Sequence, residues 1–323
     1  MRPLRIGVVG AGHMGRRHAE KVAALRDGGL PVTLVGIADP DVERARSVAS
    51  EHRTRAVADA GELYGDVDAA IVAVPTVHHF EITRCAIEAG LDVLLEKPIA
   101  ATLQQAEALL ELCRRHERVL QVGHLEWYNT AMRVIRSEIR APRFVEVHRV
   151  GPFPSRALDV DVVRDLMIHD LDILQRVIGE EPDSIEAMGL PVITETIDIA
   201  NARIGFPSGC IANLTASRVA ALPARKMRFF QRDGCLAVDF LAQTASIYRR
   251  SESADGRESP VEVEELRFDP EDALLAQLRA FVDAVRTRSV ASSAHSAVGA
   301  LRTALRVVEA MPPSRPATSA RGS

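Results

Sequence analysis

The sequence predicts an α/β protein with two domains: a doubly wound parallel sheet at the N-terminus, then an α/β domain with a large, open and mostly antiparallel sheet. Three observations lead to this fold class. Strand-like and helix-like segments alternate over the first 123 residues, as they do in parallel sheets. A glycine-rich turn joins the first strand to the first helix. Beyond residue 123, consecutive strand-like segments are separated by turn signals, which is typical of antiparallel sheets.

The N-terminal domain, residues 1–123, is built from short apolar segments and longer amphipathic ones. Hydrophobic periodicity predicts strands at 4–9, 32–38, 69–74, 93–96 and 119–122. The same criterion predicts helices at 14–25, 41–52, 81–89 and 103–116. Because strands and helices alternate along the chain, we expect the strands to run parallel.

The second domain, residues 124–310, has a different pattern. Helices are predicted at 131–139, 162–178, 271–288 and 296–310, a strand at 143–150, and turns at 206–209 and 233–234. Segments 199–204 and 211–215 carry apolar residues on both faces, more than one buried face needs, so we expect this sheet to mediate self-association. The proline-containing, polar tail at 311–323 predicts disorder.

Composition excludes several classes of protein. The net charge of −4 comes from interspersed charges of both signs, which argues against a nucleic-acid-binding surface. No segment approaches the roughly 20 apolar residues needed to cross a membrane. The N-terminus lacks the layout of a secretory signal peptide. The four cysteines form no C-x-x-C pair and no zinc-type spacing, so we expect free thiols, no metal and a cytoplasmic location.

The first strand is followed by Gly10, Gly12 and Gly15 in a G-x-G-x-x-G arrangement that opens a helix. In that context the glycines allow a tight turn, close approach of a pyrophosphate and close helix packing. Asp39 ends the second strand, where a carboxylate can bind the adenosine ribose hydroxyls. The pattern predicts NAD, although the nearby Arg44 leaves NADP possible. The alternative is a glycine turn and helix start with no nucleotide.

Glu96, Lys97 and Pro98 lie at the carboxyl end of a predicted strand, at the sheet edge where open α/β sheets bind ligands. The chain has only three lysines among its 40 basic residues, which makes a lysine at this place notable. An ammonium group there can stabilise a developing negative charge on a substrate oxygen. The alternative is an ordinary surface lysine at the end of a strand.

Asp165 and His169 are four residues apart in a predicted helix, and Asp172 follows His169 by three. This spacing puts them on one helix face. A carboxylate beside an imidazole orients the ring, and a neutral histidine can remove a hydroxyl proton while hydride leaves the same carbon. The alternative is a solvated helix face.

Together these stretches resemble the glucose–fructose oxidoreductase / inositol dehydrogenase / rhizopine catabolism (Gfo/Idh/MocA) family of dehydrogenases over about the first 180 residues. The resemblance is carried by segments 8–15, 74–79, 96–98, 121–124 and 165–169. It implies that Lys97 and His169 form the catalytic pair and that Asp165 orients the histidine. The remaining implied cofactor contacts are His13, Met14, Val74, Pro75, Thr76, His79 and Glu96, with Thr76 and His79 on the nicotinamide side.

Segments 148–153, 160–172, 198–203 and 213–218 are most similar to family members that oxidise the 3-hydroxyl of UDP-N-acetylglucosamine. A nucleotide-sugar needs cations for its diphosphate, and the candidates are Arg149, Arg156 and Arg218, each of which is equally suited to a structural ion pair. Where the family usually has Arg, an aromatic residue, a variable residue and Pro, this chain has Trp127 in place of the Arg and Thr130 in place of the Pro. Trp127 and Tyr128 can stack on a ring instead. Asp172 completes the expected substrate-binding set. The resemblance also implies a homodimer or homotetramer.

Two other functions fit parts of the sequence. A dehydrogenase of a free polyol or monosaccharide needs the same fold and catalytic pair but no diphosphate-binding arginines. A non-catalytic NAD-binding regulator needs the dinucleotide site and the open sheet, but no base at position 169. The presence of Lys97, Asp165 and His169 together argues against the regulator.

Overall fold

The structure is a computed structural model that describes residues 2–153, 160–251, 261–269, 271–289 and 293–312. The chain divides into two compact units. The first unit combines Met1–Asn129 with Pro270–Leu301, and the second combines Thr130–Asp269 with Arg302–Ser323. The predicted tail falls almost wholly outside the described residues, because nothing after residue 312 is described.

The first unit contains the predicted parallel sheet, with six strands in the order β3-β2-β1-β4-β5-β6. The strands are β1 (Leu4–Val9), β2 (Val32–Ala38), β3 (Arg55–Val57), β4 (Ala69–Val72), β5 (Asp92–Leu95) and β6 (Leu120–Val122). The helices are α1 (His13–Asp27), α2 (Val42–His52), α3 (Gly61–Tyr64), α4 (His79–Glu88) and α5 (Leu103–His116). The sheet order reverses between β1 and β4, and this reversal is where such sheets bind dinucleotides.

Local sequence explains why these helices start where they do. Asp41 caps α2 by accepting the backbone N–H of Arg44, and Thr102 caps α5 by accepting that of Gln105. The strands of the sheet are almost entirely apolar, as expected for strands covered on both faces. β3 and α3 were not predicted because three- and four-residue elements carry too little periodicity to detect.

A helix from the C-terminal part of the chain completes the first core. Helix α8 (Ala273–Thr287) buries Leu278, Phe281 and Val282 in the same cluster as Ile6 of β1 and Val22 of α1. The linear division of the chain at residue 123 therefore differs from the compact units. The apolar stripe of α8 was visible in the sequence, but the stripe alone did not say which sheet it covers.

The second unit contains an eight-stranded sheet in the order β14-β13-β12-β11-β7-β10-β9-β8. Its strands are β7 (Phe144–Val150), β8 (Ser184–Leu190), β9 (Ile199–Gly205), β10 (Ile211–Ser217), β11 (Ala224–Gln231), β12 (Gly234–Asp239), β13 (Thr244–Arg250) and β14 (Val261–Arg267). Only β7 and β10 pair in parallel, so the predicted antiparallel character is confirmed. Its helices are α6 (Thr130–Ile135) and α7 (Ile168–Ile178), and α9 (Ser293–Glu309) continues from the first unit.

The two strands predicted to be apolar on both faces, β9 and β10, each have one mainly polar face. On β9, Ala202 and Ile204 are buried, whereas Asn201 and Arg203 are exposed. The exposed residues bond across the sheet surface, since Asn201 donates to Thr215 of β10 at 3.0 Å. The strands therefore alternate between an apolar inner face and a polar outer face.

Candidate functional site

A cleft of about 1070 Å³ opens in the first unit at the carboxyl ends of β1, β2, β4 and β5. It is lined by eight of the sequence-predicted residues: Gly10, Gly12, Met14, Asp39, Val74, Pro75, Glu96 and Lys97. These residues come from four separate strand ends, and the parallel topology alone brings them to one edge of the sheet. The cleft is the candidate cofactor site.

The three glycines of the turn have different roles. A Cβ on Gly15 would lie 1.7 Å from the carbonyl oxygen of Gly10, so Gly15 is required for α1 to pack against the turn. Gly10 has a φ of +96° and no room for a Cβ beside the Ala73 carbonyl. A Cβ on Gly12 would meet no protein atom within 4 Å. The space beside Gly12 is therefore part of the cleft, and the protein's own packing does not require a glycine at this position.

The start of α1 has the properties of an anion site. Gly12 is the N-cap, and no side chain within the described residues caps the helix there. The first N–H groups of a helix carry positive partial charge, and a phosphate placed before them is favoured. The glycine loop and this helix end thus fit the pyrophosphate of a dinucleotide.

Asp39 holds the glycine loop as well as lining the cleft. Its Oδ2 accepts the backbone N–H of Ala11 at 2.8 Å, and its Oδ1 accepts that of Asp41 at 2.9 Å. Arg44 lies close, with its guanidinium 3.6 Å from Asp39 and 2.8 Å from Asp41. Each carboxylate oxygen of Asp39 has a second lone pair, which suits the ribose hydroxyls of NAD.

One wall of the cleft was not predicted from the sequence. It is lined by residues of the β3–α3 connection, α3, the 3₁₀ turn before α4, and α4: Ala58, Asp59, Ala60, Gly61, Tyr64, His78, Glu81, Ile82 and Cys85. Burial raises the pKa of Tyr64 to about 12, so the phenol is neutral at this wall of the cleft. The rule that ligands bind at strand ends would have pointed to the β3–α3 connection, had the three-residue strand β3 been recognised.

Lys97 is half-buried, and the residues on both sides of it are held by buried imidazoles. His18 of α1 lies with its Nε2 atom 2.7 Å from Glu96 Oε1. His79 of α4 lies with Nδ1 2.7 Å from the Pro98 carbonyl oxygen and Nε2 2.9 Å from that of Val74. Burial lowers the pKa of His79, and the two carbonyls oppose that shift. His18 was not recognised in the sequence analysis.

His79, expected on the nicotinamide side, is buried behind the wall of the cleft. Its side chain is buried, both ring nitrogens are engaged by backbone carbonyls, and it does not line the cleft. Thr76 begins the 3₁₀ turn Thr76–His78 and is half-buried without lining the cleft. His13 is exposed at the first position of α1. These three sit beside the cleft rather than in its wall.

In the second unit, Asp165 and His169 are both half-buried at the start of the helix that was predicted over 162–178. The first turn, Val163–Met167, is π-helical, and regular α-helix α7 begins only at Ile168. Asp161 anchors this turn by accepting the backbone N–H of Arg164 at 2.9 Å. The wider turn changes the angle between the two side chains from that of a regular helix, and such turns are frequent at functional sites.

Three expected substrate contacts are engaged elsewhere. Arg149 forms a two-pronged ion pair with Asp170 at 2.7 and 2.8 Å, and both side chains are buried. Arg218 pairs with the buried Asp198 at 2.7 Å. Asp172 is fully buried and pairs with Arg176 at 2.7 Å. The structure thus favours the ion-pair alternative for both arginines and removes Asp172 from the substrate-facing set.

The remaining expected substrate residues are less directly placed. Trp127 and Tyr128 are half-buried in the 3₁₀ turn Leu125–Tyr128, which packs against α8 in the first unit. Arg156 lies outside the described residues. Among the residues that are described, no cluster of His, Cys, Asp and Glu could hold a metal ion. No helix in that part of the chain is long and apolar enough to cross a membrane.

Two family models match consecutive parts of the chain. Residues 4–124 match the model of the oxidoreductase family with an NAD-binding Rossmann fold. Residues 131–237 match the model of the GFO/IDH/MocA C-terminal domain. The glycine loop, Asp39 and Lys97 fall within the first match, and the Asp165–His169 helix falls within the second.

Individual relatives extend the match over nearly the whole chain. A UDP-N-acetylglucosamine 3-dehydrogenase of Acidithiobacillus ferrooxidans is 38% identical over 87% of this chain and 88% of its own length. The solved structure of that enzyme superposes with a TM-score of 0.89 and 37% identity, over 96% of this chain and 98% of the other. A myo-inositol dehydrogenase of Streptomyces leeuwenhoekii is 34% identical over 58% of this chain and 59% of its own. This chain belongs to the Gfo/Idh/MocA family of NAD-binding oxidoreductases.

Proposed function

We propose that this protein oxidises the C3 hydroxyl of a UDP-linked N-acetylhexosamine to a ketone with NAD. The observation that carries the proposal is the likeness over nearly full length to a UDP-N-acetylglucosamine 3-dehydrogenase. The cleft supports the dehydrogenase part independently, because Lys97 lines the same cavity as the glycine loop and Asp39. When held in this cleft, NAD would supply the hydride acceptor that the oxidation needs.

Cofactor binding, proton removal and charge stabilisation are assigned to residues of the chain. The glycine loop and the start of α1 hold the pyrophosphate, and Asp39 holds the adenosine ribose. His169 removes the hydroxyl proton as general base, and Asp165 orients its ring. Lys97 stabilises the negative charge that develops on the oxygen. The products are a ketone, reduced cofactor and one proton, which His169 passes to solvent.

The substrate class is tested by offering the purified protein NAD with UDP-N-acetylglucosamine, free N-acetylglucosamine or myo-inositol. We expect reduced cofactor to accumulate only with the UDP-sugar, with a 3-keto product identified by mass spectrometry. The similarity to inositol dehydrogenases favours the free polyol as the second candidate. Turnover of inositol without turnover of the UDP-sugar would assign the protein to that second class.

The catalytic assignment is tested by His169→Ala. Loss of a general base reduces kcat by about 10²–10⁴-fold, while the Kd for NAD should stay near that of the wild type. Near-wild-type turnover in this variant would mean that another group is the base. If the wild-type protein binds NAD but turns over none of these sugars, the result would instead support the non-catalytic regulator.

We further propose that the protein acts in the cytoplasm as a homodimer or homotetramer assembled through the eight-stranded sheet. Free thiols at all four cysteines suit a reducing compartment. Apolar side chains are exposed on both edge strands, namely Met188 and Leu190 on β8 and Val261 and Val263 on β14. Light scattering at micromolar concentration should give a multiple of 35.2 kDa. A strictly monomeric mass would contradict this part of the proposal.

A further inference from the structure

Two histidines that line no part of the cleft converge on the segment that carries Lys97. His18 projects from α1 and His79 from α4, and their exposed fractions are 0% and 1%. They bond to Glu96 and to Pro98, the residues immediately before and after Lys97. A buried imidazole lowers stability unless its polar atoms are hydrogen-bonded, so the placement of both rings beside one residue calls for an explanation.

His18 fixes the carboxylate of Glu96. Because a carboxylate only accepts, the ring nitrogen Nε2 is the donor in the 2.7 Å bond to Oε1. The other side of the carboxylate is closed by Gly123, where a Cβ would lie 3.0 Å from Oε2. Within the described residues nothing hydrogen-bonds to Nδ1 of His18, so the bond to Glu96 is the ring's single polar contact there.

His79 joins two loops of the cleft. Nδ1 lies 2.7 Å from the carbonyl oxygen of Pro98, in the loop after β5. Nε2 lies 2.9 Å from that of Val74, in the loop after β4 that forms part of the cleft wall. Both partners are backbone carbonyl oxygens, which only accept, so the ring donates to both at once only when both of its nitrogens carry a proton, and a neutral ring donates to one of them. Either bond restrains the main chain rather than a mobile side chain.

We propose that His18 and His79 are positioning residues for Lys97, holding its backbone from the two sides so that the ammonium group stays directed at the reacting oxygen. The proposal rests on the role given to Lys97 in the proposed function. Its physical basis is that a displacement of about 1 Å in a catalytic group can cost about 10²-fold in rate, even when the altered residue never touches substrate.

The two rings use different nitrogens on the Lys97 segment, which allows a crossed experiment. The amide nitrogen of Asn takes the place of Nδ1 of His, and that of Gln takes the place of Nε2. At position 79, Asn keeps the donor to Pro98 and Gln loses it. At position 18, Gln keeps the donor to Glu96 and Asn loses it. The replacement that keeps the hydrogen-bond donor is therefore Asn at position 79 but Gln at position 18.

We expect His79→Asn and His18→Gln to keep kcat within about 3-fold of wild type at saturating NAD and substrate. We expect His79→Gln and His18→Asn to lower kcat by about 10- to 100-fold. The Kd for NAD should change by less than about 3-fold in His18→Gln and His18→Asn. Matched controls are Ile87→Val on α4 and Val22→Ala on α1, which are buried on the same helices and should lower Tm without lowering kcat.

General destabilisation of the first unit would lower kcat in all four variants together and would not reverse its order between positions 18 and 79. A common loss, or four unchanged values, would overturn the positioning role. Should the two variants at position 79 fail to fold, the Gln-over-Asn order at position 18 decides alone. If Lys97→Met kept full turnover, the proposed function of Lys97 itself would be wrong. If Lys97→Met lost most of its kcat but the Asn and Gln variants at positions 18 and 79 did not show opposite orders of kcat, only the positioning role of the two histidines would be overturned.

Discussion

The two units treat their charged and polar residues differently. In the first unit, Lys97 and Asp39 line the cleft, and Gly12 leaves open space before the helix end. In the second, the charges beside the proposed base are buried in pairs, such as Arg149 with Asp170. These polar groups of the first unit line an open cleft, whereas this ion pair of the second unit holds helix α7 to strand β7.

This difference has an energetic consequence. A residue that faces a ligand can be changed with a large effect on binding or rate and little effect on folding. A residue in a buried ion pair leaves an unpaired charge when its partner is removed, which destabilises the fold strongly. Substitutions in the two units should thus separate turnover from stability, and each prediction below measures both.

The largest effect is expected at Lys97. Lys97→Met removes the charge that we propose stabilises the alkoxide, and kcat should fall by about 10³-fold with Tm nearly unchanged. Lys97→Arg should recover only part of the rate, because a planar guanidinium does not replace a compact ammonium. Steady-state kinetics and thermal melts on the same samples give the answer. A large fall in Tm together with the fall in kcat would instead indicate that Lys97 has a structural role, and the two units would then not differ in this respect.

Arg149→Met should show the opposite behaviour. Breaking the buried pair strands Asp170, and the free energy of unfolding should fall by about 3–5 kcal/mol. The double variant Arg149→Met, Asp170→Leu removes both charges and should recover most of that loss. Urea titrations of the wild type, the single and the double variant test this. Normal stability in the single variant, with a raised KM for a UDP-sugar only, would return Arg149 to the substrate-binding set.

Two glycines of one turn test the contrast inside the first unit. Gly12→Val should raise the Kd for NAD by about 10- to 100-fold with normal Tm, because a steric misfit costs about 1–3 kcal/mol and only the bound cofactor would meet the side chain. Gly15→Ala should lower Tm instead, since its Cβ collides with the Gly10 carbonyl. Calorimetric titration with NAD and melting curves measure the two effects. Unchanged NAD affinity in Gly12→Val would contradict the assignment of the loop.

The smallest effect is expected at Asp39. Asp39→Ser removes the charge that we propose repels a 2′-phosphate, and it leaves the nearby Arg44 available to that phosphate. The preference for NAD over NADP, measured as the ratio of kcat/KM values, should fall by about 10-fold. The bond to the Ala11 N–H is also weakened, so some loss of affinity for both cofactors is expected. A wild type that already prefers NADP would rule out the proposed role.

Much of the first unit could be predicted from local pattern. Strand, glycine turn, helix and Asp39 lie within 40 residues, and their spacing is constrained by the dinucleotide geometry itself. Lys97 could be placed because the carboxyl ends of parallel strands always meet at one edge. The β3–α3 connection could not, because a strand of three residues has almost no periodicity of its own.

The sequence by itself determined the fold class, the family and the chemistry of the cleft, because each depends on motifs whose parts are close in the chain. Only the tertiary structure decided which charged residues line the cleft and which are buried in ion pairs. Arg149 and Asp170 are 21 residues apart, and His18 and Glu96 are 78 apart. Whether such residues meet depends on how strands and helices pack, and an arginine that will be buried in a pair has the same sequence signature as one that will bind a phosphate.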